Sequence, residues 1–96
     1  MSMNKDKLRF AILKEINEGN TPLTEEDFGV SEDEFDNAVN YLSREDYIAG
    51  VFWADNRPLL LKIGPVITDK GEQYLKDNSM WGKAYKGLIE IRDWLK

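Results

Sequence analysis

Apolar residues recur every three or four positions in the first half of the chain, which is the spacing of an amphipathic helix. This spacing predicts a helix over residues 4–18, a short helix over 24–28 and a third helix over 31–46. The third has the clearest start, because Ser31 and Glu34 stand three residues apart as a capping box. We therefore expect a compact three-helix unit on the N-terminal side.

The pattern then changes to residues that are typical of strands. Residues 47–63 contain aromatic and branched side chains on either side of turn residues, which predicts an antiparallel β-hairpin. Pro58 fits the start of the returning strand, at residues 59–63, because proline cannot donate a ladder hydrogen bond. Helices over 68–77 and 79–95 are expected to follow. The predicted fold is mainly α within the α+β class: a winged helix-turn-helix with a small β-hairpin and an extra C-terminal helix.

Length and composition fit a single winged-helix-like domain over residues 1–96. Hydrophobic residues make up 42% of the chain, enough for one modest core, and no apolar run approaches the ~18 residues of a membrane span. There is no cysteine, and the N-terminus does not read as a secretory signal, so we expect a cytoplasmic protein that contacts no membrane. Without histidine or cysteine, we predict no enzyme activity, no metal site and no cofactor.

Two segments resemble the winged-helix domains of bacterial regulators. They are LSREDYI at residues 42–48 and ITDKGEQYL at residues 67–75. In such domains a Thr-x-x-Gly segment opens the helix after the wing, and Thr68 and Gly71 have that spacing here. The resemblance implies the fold and specifies no activity.

The first helix carries a narrower resemblance. The segment MNKDKLRFAILKEI at residues 3–16, together with the rest of the chain, is similar to the YjcQ family of small uncharacterised bacterial and phage proteins with a winged-helix fold. This resemblance covers essentially the whole chain. It implies a winged helix and an association with prophages, and it brings no catalytic residues.

Charge is unevenly distributed along the chain, whose formal net charge is −5. Residues 25–56 contain ten acidic residues and one base, Arg44, whereas the segments on either side are net positive. Acidic residues in the first turns of helices complement the helix dipole, which accounts for most of this block without a partner. The block has the wrong sign for a phosphate backbone, which weighs against DNA binding through the third helix.

The third helix is nevertheless the element that a winged helix presents to the major groove. Asn37, Asn40 and Arg44 share one of its faces and are the candidate base readers. Arg57 at the wing tip is a candidate for the minor groove. A solvated polar face is the competing interpretation, and the charge argument favours it. The other bases would form a second DNA-facing surface if they gathered on one face: Lys5, Lys7, Arg9, Lys62, Lys70, Lys76, Lys83 and Lys86.

The leading interpretation is a non-catalytic module that binds duplex DNA or has a regulatory role, and it rests mainly on analogy of fold. The alternative is a protein-interaction module that does not bind DNA and uses the acidic block or the last helix. Trp81, Tyr85, Leu88 and Trp94 are the candidate interface residues on that helix, because aromatic side chains anchor interfaces. The last helix either forms a homodimer through them or folds back onto its own core.

Overall fold

The computed structural model describes residues 4–95, which form six α-helices, one 3₁₀ turn and two short antiparallel strand pairs. This is the mainly helical α+β fold that the sequence predicts. Three helices, a hairpin and further helices follow one another in a winged-helix-like order.

The first three helices build the platform for the hairpin. They are α1 (Lys5–Asn17), α2 (Glu25–Phe28) and α3 (Glu32–Arg44). The predicted capping box starts α3: the backbone N–H of Ser31 donates to Glu34 Oε1 at 3.0 Å, and the Glu34 N–H donates to Ser31 Oγ at 3.1 Å. The helix ends before the predicted bound of residue 46, because the backbone turns left-handed at Asp46, with φ 63°.

The wing consists of two successive strand pairs. Its strands are β1 (Ile48–Ala49), β2 (Phe52–Ala54), β3 (Arg57–Leu59) and β4 (Val66–Ile67). β2 pairs with β3, and β1 pairs with β4. The prediction of a returning strand over 59–63 is therefore wrong. Asp55 and Asn56 both have positive φ and close a two-residue turn, which places Arg57 and Pro58 inside the strand.

Pro58 is tolerated within β3 because of its position in the ladder. A two-residue turn makes Ala54 and Arg57 the hydrogen-bonded pair that closes the hairpin, so the next pair, Trp53 and Pro58, exchanges no backbone hydrogen bonds. Leu60 then leaves the hairpin and bridges to Leu23, so the chain turns away from β2 one residue after the strand ends.

The Thr-x-x-Gly segment opens α4 (Asp69–Asp77) as predicted. Thr68 Oγ1 accepts a hydrogen bond from the Gly71 N–H at 3.0 Å and caps the helix. Gly71 is buried, and a Cβ built on it would lie 2.2 Å from the carbonyl oxygen of Tyr47. The motif therefore needs glycine because α4 crosses the start of the wing at backbone contact distance.

The C-terminal part is not one helix over 79–95, so that prediction is wrong. It is divided into α5 (Ser79–Ala84), a 3₁₀ turn (Leu88–Glu90) and α6 (Ile91–Leu95). Gly87 adopts φ 94° and ψ −174°, a conformation that L side chains rarely adopt, and it breaks the helical path. The break lets Ile91 and Leu95 bury themselves in the core.

One hydrophobic core links these elements. α1 contributes Leu8, Ile12 and Leu13, all at most 2% exposed, and α3 contributes Phe35 and Leu42. The helices α1 and α3 lie side by side along this core, which fixes the positions of their polar edges relative to each other. Among residues 4–95, no helix combines the length and the apolar character needed to cross a membrane.

Candidate nucleic-acid interface

A groove of about 300 Å³ lies between α1 and α3. Asn37, Asn40 and Arg44 of α3 line it, so these three sequence-predicted residues share one surface. Lys5 and Arg9 of α1 line the same surface. This α1–α3 groove therefore combines three cations with two amides, on a chain whose net charge is −5.

The side chains of the three α3 residues make no hydrogen bond or ion pair within the described residues. Asn37 and Arg44 are exposed, and within residues 4–95 neither forms a hydrogen bond or an ion pair through its side chain. Asn40 is partly buried, and its Oδ1 is a buried atom without a hydrogen-bond partner in that part of the chain. Asn37 and Arg44 are therefore accessible to a ligand, whereas the Asn40 amide has to rotate toward the groove, which breaks no intramolecular hydrogen bond.

Arg9 is held more firmly than the α3 side chains. Its guanidinium lies 3.6 Å from the centre of the Tyr41 ring, and it forms an ion pair with Asp6 at 3.6 Å. The Arg44 guanidinium lies 5.9 Å from the same ring. Tyr41 thus brings a cation of α1 and a cation of α3 to the same place. Sequence reasoning left Lys5 and Arg9 in a scattered set of bases, because nothing local indicates that α1 lies beside α3 there.

One carboxylate also lines the groove, and it already has a structural role. Glu34 accepts the capping hydrogen bond from the Ser31 N–H, so its negative charge stabilises the N-terminus of α3. The dipole of α3 favours an anion at this end. The open positions of the groove are therefore cationic or amide in character.

Arg57 does not project from the wing tip as the sequence led us to expect. It forms two hydrogen bonds with Asp36, at 2.8 and 2.9 Å, and ion pairs with Glu25 at 3.1 Å and Glu32 at 3.2 Å. The bonds to Asp36 above all raise the pKa of Arg57. The prediction that Arg57 is free for a minor groove is corrected, because this cluster ties β3 to α2 and α3. The three acids lie 21 to 32 residues away in sequence, so no local pattern reveals them.

The predicted interface residues of the last helix pack within the chain. Trp81, Tyr85, Leu88 and Trp94 are half-buried rather than exposed, and the last three pack against the core. Lys7 Nζ of α1 donates to the carbonyl oxygen of Trp94 at 3.1 Å and lies over its ring. This segment folds back onto the core of its own chain, and the homodimer stays a prediction from the sequence.

Glu15 of α1 binds the C-terminal segment through Tyr85. It is a carboxylate only 4% exposed, and it accepts hydrogen bonds from the Tyr85 hydroxyl and from Asn20 Nδ2, the latter at 2.9 Å. Burial, together with the hydrogen bond to Glu15, raises the pKa of Tyr85 above its ordinary value. No sequence signal marks Glu15 as buried, since it lies among charged residues at the end of α1.

A second cleft, of about 410 Å³, lies between α2 and the C-terminal turns. Four carboxylates line it beside Arg92, namely those of Glu26, Asp27, Glu90 and Asp93. Its charge is opposite to that of the α1–α3 groove and repels a polyanion. Residues 4–95 contain no group of His, Cys, Asp or Glu side chains arranged to hold a metal ion.

Comparison with known proteins agrees with this fold. The model of the YjcQ protein family matches residues 7–94. The uncharacterised protein YjcQ of Bacillus subtilis (strain 168) is 66% identical over 94 residues, which are 98% of this chain and 100% of that protein. The solution NMR structure of the Bacillus subtilis YjcQ protein is similar with a TM-score of 0.71 at 65% identity, and the match covers 77% of this chain and 95% of that one. The chain belongs to the YjcQ family.

Proposed function

We propose that this protein is a non-catalytic module that binds duplex DNA through the α1–α3 groove. The observation that carries the proposal is the convergence of Asn37, Asn40 and Arg44 with Lys5 and Arg9 on one surface. In this arrangement α3 enters the major groove, while the α1 cations contact the phosphate backbone. The prophage association and the cytoplasmic location stay predictions from the sequence.

The acidic block is a weaker objection to this proposal than its charge suggests. Glu25, Glu32 and Asp36 surround Arg57, which offsets part of their charge, and Glu34 caps α3. These acids belong to the N-terminal half of α3 and the helix before it, whereas Asn37, Asn40 and Arg44 extend to its C-terminal end. DNA is therefore expected along the C-terminal half of α3, away from most of the acids.

An NMR titration of amide shifts with a short random duplex at low salt tests the proposal. We expect shifts at residues 5–9 and 37–44 that weaken as salt is added, because phosphate contacts release counterions. Arg44→Glu should weaken binding by about tenfold or more, which corresponds to roughly 1.4 kcal/mol.

Lys86→Glu is the matched control, since it makes the same change of charge at an exposed residue that does not line the groove. Lys86→Glu should leave the affinity within about twofold, a small part of the effect of a lost phosphate contact. Absence of shifts at low salt, or equal losses in both variants, would contradict DNA binding at this groove.

The wing supplies the observation that favours a second candidate, the protein-interaction module. Phe52, Trp53, Ile63 and Val66 are between 52% and 87% exposed, an unusual apolar load for a wing. The candidate protein-interaction surface is therefore on the wing instead of the last helix, because the aromatic residues of that helix pack against the core of their own chain. Concentration-dependent sedimentation that Ile63→Ser abolishes, in a protein that gives no DNA shifts, would favour this candidate.

A further inference from the structure

The base readers of α3 have a spacing that matches stacked base pairs. An α-helix rises about 1.5 Å per residue, so Asn40 lies about 4.5 Å beyond Asn37 along the axis, and Arg44 about 10.5 Å beyond it. Successive bases of a DNA strand are about 3.4 Å apart along the duplex axis. A helix in the major groove with its axis inclined toward the duplex axis therefore places Asn37 and Asn40 at neighbouring pairs and Arg44 two pairs further on.

The side chains at these positions differ in the bases they recognise. An asparagine amide pairs in a bidentate way with N6 and N7 of adenine, and an arginine guanidinium pairs with O6 and N7 of guanine. Asn37 and Arg44 are exposed, and their side chains make no hydrogen bond or ion pair in residues 4–95, while the buried Asn40 Oδ1 has no hydrogen donor there. Asn37 and Arg44 can therefore meet a base edge directly, and Asn40 can do so by rotating its amide into the groove, in each case without losing an intramolecular hydrogen bond.

The two cations of α1 are suited to a different task. Arg9 stacks on Tyr41 and pairs with Asp6, which restricts its reach, and Lys5 is exposed at the first turn of α1. A cation fixed at the rim contacts backbone phosphates without regard to sequence. The groove thus separates base reading on α3 from phosphate contact on α1.

From this division we infer that the groove is selective for a purine-rich duplex, with adenines at two neighbouring pairs, read by Asn37 and Asn40, and a guanine two pairs further, read by Arg44. The inference rests on the proposed function and names its substrate class. A purely electrostatic groove would instead bind every duplex alike, because phosphate contacts carry no sequence information.

Selection from a randomised duplex library tests this inference. Sequences bound by the native protein should be enriched in two adjacent adenines and a guanine at the stated spacing. Replacement of either adenine in the selected site should weaken binding by roughly fivefold or more, since bidentate contacts discriminate at that level. Asn40→Ala should remove the preference at one adenine only and leave the guanine preference in place.

Asn17→Ala is the matched control, because Asn17 is exposed at the end of α1 and does not line the groove. It should retain both base preferences, and the amide spectra of both variants should show a folded chain. Binding without base preference, or a preference that survives in Asn40→Ala, overturns the inference and leaves DNA binding intact. Absence of duplex binding at low salt overturns the proposed function, and the inference with it.

Discussion

The two flanks of α3 carry opposite charges, and they differ in how far those charges are already used. On the wing side, Glu32 and Asp36 join Glu25 around Arg57, which makes ion pairs with all three. On the α1 side, Arg44 has no carboxylate partner among the described residues, and the amide of Asn37 has no hydrogen-bond partner there. One flank is closed by intramolecular bonds, and the other is open.

This difference shows that charges counted along the sequence do not reveal which of them already have partners on α3. The acidic block suggested repulsion of DNA, yet several of its members have internal partners or cap helices. The bases that matter for the groove are few, but they converge from two helices. Whether a charged side chain already has a partner decides what it offers to a ligand, more than the local net charge does.

The sharpest test makes the same substitution on each flank. Arg57→Glu would place a fourth carboxylate among Glu25, Glu32 and Asp36 and turn three attractive contacts into repulsion, so we expect a fall of several degrees in the midpoint of thermal unfolding. Arg44→Glu should change stability by no more than about 0.5 kcal/mol, as is usual for an exposed residue without such contacts.

Circular dichroism on heating compares the two variants directly. The effects on DNA affinity should have the opposite order. Arg44→Glu should weaken binding more than Arg57→Glu does, because only Arg44 lines the groove. Equal melting temperatures for the two variants would show that the Arg57 cluster does not hold the wing, and would remove the distinction between a closed and an open flank.

A smaller effect is expected at the buried end of α1, another closed site. Tyr85→Phe removes the hydroxyl that donates to Glu15 and leaves one oxygen of a buried carboxylate without that partner, at a cost of about 1 to 3 kcal/mol. Tyr41→Phe is the control, because within residues 4–95 the Tyr41 hydroxyl makes no hydrogen bond while its ring carries Arg9. Urea unfolding should show a lower free energy for the first variant only, and equal free energies would argue against a structural role for the Glu15–Tyr85 bond.

The smallest effect concerns alkaline pH. Burial raises the pKa of Tyr74 to about 12, whereas an unfolded tyrosine ionises near pH 10. The unfolded state therefore loses its proton first, so the stability contributed by neutral Tyr74 is complete below about pH 10 and is lost as the pH rises toward 12. Between pH 10 and pH 12 the free energy of unfolding, measured by urea titration, should fall less for Tyr74→Phe than for the native chain. Equal falls would contradict the raised pKa of Tyr74 as the cause.

The sequence predicted the order of elements well where local signals are strong. The capping box of α3 and the Thr68 cap of α4 are contained within four residues each, so their hydrogen bonds follow from spacing alone. The break at Gly87 was missed, because an apolar stripe continues on both sides of it and reads as one helix. The register of the wing was not predicted, because Asp55 and Asn56 alone form the turn, whereas the sequence suggested a longer turn that ended at Pro58.

The sequence by itself determined the first four helices, the caps at Ser31 and Thr68, the family and the three candidate readers on one face of α3, because each of these depends on residues close together along the chain or on similarity over its length. Tertiary structure alone decided which charges are available. It placed Arg57 among acids up to 32 residues away, brought Lys5 and Arg9 beside Arg44, and folded Tyr85 onto Glu15. These contacts join distant segments through the packing of the core, and no periodicity in the sequence records them.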